Sequence, residues 1–151
     1  MHPILLARVV RQLDAFIVEN ATFSEVQLST LFQHLSEPLS RLSRLSFPNA
    51  PLTTVAPQIL AKAILNIRQV VLPRADVFQD QVVELFNHLD KEKRPRLQAL
   101  ELRLVDLASI EPSLFSRVVG RLRVAELYDC KLSRHQLHCL AGVRIKLNYY
   151  I

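Results

Sequence analysis

The chain has 151 residues, half of them hydrophobic, enough for one buried core and short for two. Its 19 basic and 14 acidic side chains leave a formal charge of +5, without the concentrated charge of a dedicated nucleic-acid arm. No apolar run approaches the roughly 20 residues of a membrane span, residues 1–8 lack the pattern of a secretory signal, and Cys130 and Cys139 are too few for a disulfide framework, which points to reduced thiols in an intracellular, cytoplasmic or nuclear, setting.

Residues 3–12 read as a short helix, so residues 1–12 are expected to cap the first unit of the stack, as the helical half of a unit whose strand is missing. From Leu13 onward five stretches superpose with apolar residues at positions 1, 4, 6, 9 and 11. The first is Leu13, Phe16, Val18, Ala21 and Phe23, and the second is Leu42, Leu45, Phe47, Ala50 and Leu52. The third is Ile67, Val70, Leu72, Ala75 and Val77. Leu97, Leu100, Leu102, Val105 and Leu107 form the fourth, and Leu122, Ala125, Leu127, Cys130 and Leu132 the fifth. Positions 4 to 6 alternate in and out with the period of a strand. The residues after them carry apolar groups three and four apart, as an amphipathic helix does.

Successive first positions lie 29, 25, 30 and 25 residues apart, so long and short units alternate. The long units share a second half: Leu28, Leu31, Phe32 and His34 in the first correspond to Val82, Leu85, Phe86 and His88 in the third. In the short units Pro57 and Pro112 stand near the start of each helix, where a missing N–H costs little. The duplicated module is therefore a pair of units, about 55 residues long. Ile145, Leu147 and Tyr150 match positions 4, 6 and 9 of a truncated sixth strand. Three readings of that end stay open: Tyr149, Tyr150 and Ile151 form a minimal cap, the chain is cut from a longer one, or a partner covers the edge.

The pattern L-x-x-L-x-L-x-x-N/C-x-L resembles that of leucine-rich repeats, with Cys130 supplying the C. The alternation of long and short units is most similar to the ribonuclease-inhibitor subclass. The resemblance spans Leu13 to Leu147 and implies an α/β solenoid, with short parallel strands on a concave face and helices on a convex one. Residues 13–151 are then one domain of five repeats plus the truncated strand. This chain departs from the pattern at position 9, where Ala21, Ala50, Ala75 and Val105 replace Asn. The turn that such an Asn would hydrogen-bond must be satisfied otherwise. Phe16, Phe47, Ile67 and Ala125 also stand in place of Leu.

In that frame positions 3, 5, 7, 8 and 10 face the concave surface. The expected partner surface is Ile17, Val71, Arg103, Leu104, Tyr128 and Tyr149, because clustered exposed apolar groups, Tyr and Arg are the usual anchors of interfaces. Arg41, Arg44, Arg68, Arg96, Arg121, Arg123 and Arg144 fall near unit starts, and stacking aligns them as a basic flank. Cys130, His135, His138 and Cys139 do not have paired zinc-ligand spacing, and no phosphate-binding loop or nucleophile elbow occurs. Glu101 and Glu126 occupy one position in adjacent units, so one of the two carboxyls is expected to titrate high. The expectation is a non-catalytic, cofactor-free adaptor or scaffold that binds another protein within a larger complex, with no membrane role. Nucleic-acid binding along the arginine flank is the alternative. Activation of a small GTPase, by analogy with the subclass, is the second alternative.

Overall fold

The computed structural model describes residues 1–47, 51–72 and 77–140, and the backbone of 146–150. Ala50, Ala75, Arg144, Ile145 and Ile151, and the side chains of Leu147, Tyr149 and Tyr150, lie outside the described residues. Strands and helices alternate along the chain. The order is α1 (Pro3–Gln12), β1 (Ala15–Ile17), α2 (Glu25–Leu35), β2 (Arg44–Ser46), a 3-10 turn (Leu52–Thr54), α3 (Pro57–Leu65) and β3 (Gln69–Leu72). It continues with α4 (Gln79–Lys91), β4 (Ala99–Arg103), α5 (Pro112–Arg121), β5 (Val124–Lys131), α6 (Arg134–Cys139) and β6 (Lys146–Tyr150).

The fold is mixed α/β. Its six strands form one parallel sheet in the order β1 to β6, and each helix packs on the next from α1 to α6. The strand pairing places Phe16, Leu45, Val70, Leu100 and Ala125 in one row, the fourth positions of the five overlaid stretches. Alternation within each strand then separates two faces. Leu45, Val70, Leu100 and Ala125, with Phe47, Leu72, Leu102 and Leu127 two residues on, are buried against the helices. Each such Val, Leu or Phe side chain contributes about 1.5–3 kcal/mol by leaving water.

The first stretch is less well covered. Phe16, Val18 and Phe23 are only partly buried, and Leu13 is 38% exposed where its counterparts Leu42 and Ile67 are fully buried. Bulk compensates at that end. The rings of Phe16 and Phe23 meet Phe47 edge-on at 5.7 and 5.6 Å between centroids, and Phe32 lies 6.1 Å from Phe47 on the helix side. Edge-to-face rings at these distances are favourable beyond their buried area.

Two buried glutamines satisfy carbonyls at or just after the ends of the second and fourth stretches. Gln81, in the first turn of α4, donates from Nε2 to the carbonyls of Leu52 and Val55, both at 2.7 Å, and its Oε1 accepts from the Phe78 N–H. Gln136, in the first turn of α6, repeats the arrangement: Nε2 donates to Leu107 and Ile110, and Oε1 accepts from Ser133. In both cases the side chain reaches back 29 and 26 residues, into the turn of the preceding short unit. The short-unit helices start differently, with Pro57 and Pro112 in the first turn, and Glu111 accepts from the Ser113 and Leu114 N–H groups. Ser24 and Gln27 make the same start at α2, but Gln27 reaches only the Met1 carbonyl near the surface.

The helix ends are closed from neighbouring units. Asn66 donates to the Leu35 and Ser36 carbonyls at the end of α2. Arg96 spans Ser40 and Asn66, at 2.8 and 3.0 Å, and Arg121 donates to Leu89 at the end of α4, at 2.7 Å. Cations at helix C-termini also offset the negative end of the helix dipole.

Removing the Gln136 carboxamide leaves the Ile110 carbonyl without its side-chain donor, while the Leu107 carbonyl keeps the Ile110 N–H. Gln136→Ala is therefore expected to lower unfolding free energy by about 1–3 kcal/mol in urea titration. Gln27→Ala, at the exposed counterpart, is expected to cost about 0.5–1 kcal/mol. Equal urea midpoints for the two variants would refute the structural weight assigned to the bridge.

Candidate functional site

The face of the sheet turned away from the helices carries Ile17, Ser46, Val71, Glu101 and Glu126 in one row across β1 to β5. Two residues further along, Arg103 on β4 pairs with Tyr128 on β5. β4 and β5 are 5 and 8 residues long, against 3 for β1 and β2, so the polar corner stands on longer strands than the first units have.

The Arg103 guanidinium lies 5.1 Å from the centre of the Tyr128 ring, within cation–π range. The Tyr128 hydroxyl donates to Glu126 at 2.8 Å. Arg103 Nε is buried and finds no acceptor among the described residues. Glu101 and Glu126 are register neighbours, and parallel strands lie about 4.8 Å apart. Burial raises the Glu101 pKa, the Glu126 charge adds to the rise, and Arg103 opposes both. One carboxyl of the pair therefore titrates above its ordinary range, as its repeated position in adjacent units predicts.

Two expected face residues do not join this group. Leu104 follows β4 in a left-handed conformation, φ 59°, and is 63% exposed beside Phe78 and Asp106 at the strand-exit edge. A bulky side chain with positive φ is uncommon, and the conformation turns Leu104 off the strand. Asp129, the equivalent position of the next unit, has φ 51° and lies at the register shift between Tyr128 and Cys130. Ile17 shares the row of Val71, but β2 with Ser46 lies between them, so it stands apart from the Arg103–Tyr128 corner. The Tyr149 side chain lies outside the described residues.

The arginines expected on one flank divide by role. Arg96 and Arg121 are engaged with backbone carbonyls, so they close helix ends instead of presenting a free charge. Arg41, Arg44, Arg68 and Arg123 are exposed, and their side chains make no hydrogen bond or ion pair among the described residues. Pairing sets Arg44 beside Gln69, and Arg68 and Arg123 directly precede β3 and β5. These three stand along the strand-start edge of the sheet.

Three concavities bear on chemistry. The hollow between Val71, Glu101 and Glu126 holds about 60 Å³, far below the roughly 300 Å³ at which small-molecule sites begin. A groove of about 480 Å³ lies at the C-terminal ends of α3 and α4, lined by Lys62, Lys91, Arg94 and Arg96 with Glu92. The third, about 410 Å³, lies at the strand-exit edge beside Phe78 and Leu104. Cys130 is buried, with its pKa raised chiefly by burial, and its thiol lies 3.7 Å from the Leu102 carbonyl; such a group is a small core residue and a poor nucleophile. Cys139 is exposed. No helix among the described residues is long and apolar enough to cross a membrane.

Comparison with protein-family models, with curated proteins and with solved structures returned no match.

A carboxyl whose pKa is raised on folding favours the folded state only while protonated, so that contribution is lost as pH rises through the raised value. Glu101→Gln is therefore expected to raise the urea midpoint at pH 7, with the gain vanishing below the ordinary carboxyl value of 4.5. A gain of the same size at pH 3 and pH 7 would exclude Glu101 titration as its source.

Proposed function

We propose that this chain is a leucine-rich-repeat interaction module of the ribonuclease-inhibitor type. Its units stack as a curved solenoid, and it recruits a partner protein through the face that the helices leave open. In this reading it is an adaptor or scaffold without catalysis. The observation that carries it is the Arg103–Tyr128 pair beside Val71 and the Glu101–Glu126 row. A guanidinium held over a ring presents cationic and aromatic surface together on the open face. Arg and Tyr are also the side chains that most often dominate binding energy. The small hollow next to them favours a broad protein contact over a small ligand.

Nucleic-acid binding is the second reading, and the exposed Arg44, Arg68 and Arg123 favour it. The described edge lacks the interleaved aromatic platform on which single-strand binders stack bases, which ranks this reading lower.

Affinity purification with Val71→Asp combined with Tyr128→Ala is expected to lose partners that the unaltered chain recovers, while circular dichroism stays unchanged. Undiminished recovery would remove the face from consideration. Under the second reading, a random single-stranded oligonucleotide binds at low salt and is released steeply as ionic strength rises. Absence of binding at low salt rejects that reading.

A further inference from the structure

The groove of about 480 Å³ at the ends of α3 and α4 falls within the roughly 300–1,000 Å³ of small-molecule sites. Leu65 and Pro95 contribute apolar lining. Its charged lining is Lys62, Lys91, Arg94 and Arg96, set against Glu92 as the one carboxylate among the described lining residues.

A helix C-terminus ordinarily repels anions, because its free carbonyls carry partial negative charge. In this groove those carbonyls are served from neighbouring units. Arg96 donates to the carbonyl of Asn66, which caps α3, at 3.0 Å. Arg121 donates to the Leu89 and Asp90 carbonyls of α4, at 2.7 and 3.3 Å. Asn66 donates to Leu35 and Ser36 at the end of α2. Lys62, in the last turn of α3, and Lys91, at the end of α4, are therefore not needed for capping. The side chains of Lys62, Lys91 and Arg94 are exposed and make no hydrogen bond or ion pair among the described residues. His88 also lines the groove, but its Nδ1 is turned to Glu84 of its own helix, at 3.0 Å. Cations gathered without matching acids repel one another, and an anion placed between them relieves that repulsion.

We propose that this groove binds a small ligand carrying two or more clustered phosphates, recognised without stacking of a base. Lys62 and Lys91 approach from two helices and Arg94 from the loop before β4, so charge spread over several phosphates meets more of them than one phosphate does. Ammonium and guanidinium groups both suit phosphate oxygens. Among the described residues no Phe, Tyr or Trp lines the groove, so a nucleobase finds no aromatic platform there. None of Arg44, Arg68 and Arg123 lines it either, and the site depends neither on that edge nor on the open sheet face.

Isothermal titration with tripolyphosphate at low salt tests the proposal. One equivalent is expected to bind, at least tenfold tighter than orthophosphate, with affinity falling as salt screens the charges. ATP, which adds a base to the same phosphates, is expected to bind no tighter. Lys62→Gln, Lys91→Gln and Arg94→Gln change exposed side chains, so circular dichroism melting should stay unchanged while each weakens binding by roughly fivefold. Glu92→Gln is expected to strengthen binding by a similar factor. Arg134→Gln removes the same charge at the start of α6, outside the groove, and should leave affinity as it was. Co-sedimentation with vesicles containing phosphatidylinositol bisphosphate, against phosphatidylcholine alone, shows whether a lipid headgroup or a soluble molecule presents the phosphates; the Lys62→Gln loss is expected in either case. The proposal is overturned if tripolyphosphate does not bind, if Arg134→Gln weakens it as much as Lys62→Gln does, or if Glu92→Gln lowers affinity. It is equally overturned if ATP or a hexaglutamate peptide binds tenfold tighter than tripolyphosphate, since a base or an acidic peptide is then what the groove selects.

Discussion

Parallel strands joined by helices in 25 to 30 residues require tight turns, and a tight turn points carbonyls into the core. An unpaired buried carbonyl costs about 1–3 kcal/mol, a large share of the stability of a small domain. The glutamine bridge meets that demand. One carboxamide serves two carbonyls of the preceding turn and one N–H of its own helix start, so a single side chain fixes the turn, the helix origin and their separation. Its recurrence at Gln136, with the same offsets, ties the third unit to the second and the fifth to the fourth.

The same economy governs the opposite edge. All the strands run one way, so the helices that join them end at the same side and bring carbonyls with partial negative charge together there. Asn66, Arg96 and Arg121 are consumed in closing those ends. A basic residue near a unit start is therefore first a structural element. Only those beyond this requirement, such as Arg44, Arg68 and Arg123, are available to anything outside. The division matters for function, because counting arginines along the sequence overstates the free charge on that flank.

Much of the frame is legible in the sequence. Alternation over positions 4 to 6 and apolar spacing of three and four distinguish strand from helix because their periods differ, and identical spacing in five stretches sets the register that the strands adopt. Glu101 beside Glu126 is a consequence of that register. Gln81 and Gln136 are hidden in the sequence because glutamine reads as a surface residue. Their available signal is a Gln three residues after Phe78 and Ser133, at matching places in the third and fifth units. Leu104 leaves the strand because the backbone turns there through positive φ, which no sequence period encodes. Ile17 does share a row with Val71, but a row runs across strands, and the intervening β2 keeps the two apart.

By itself the sequence determined which residues enter the core, where strands and helices alternate, and which positions share a row, since these depend on local period and on burial of apolar surface. Tertiary structure alone decided which polar side chains are spent internally. Whether Arg96 is free or bound, and whether Gln136 faces water or two carbonyls, depends on groups 26 to 56 residues away that no local pattern encodes. It also decided that Phe16 and Val18 are only partly buried where their counterparts Leu45, Phe47, Val70 and Leu72 are buried, a difference that their shared apolar character does not encode.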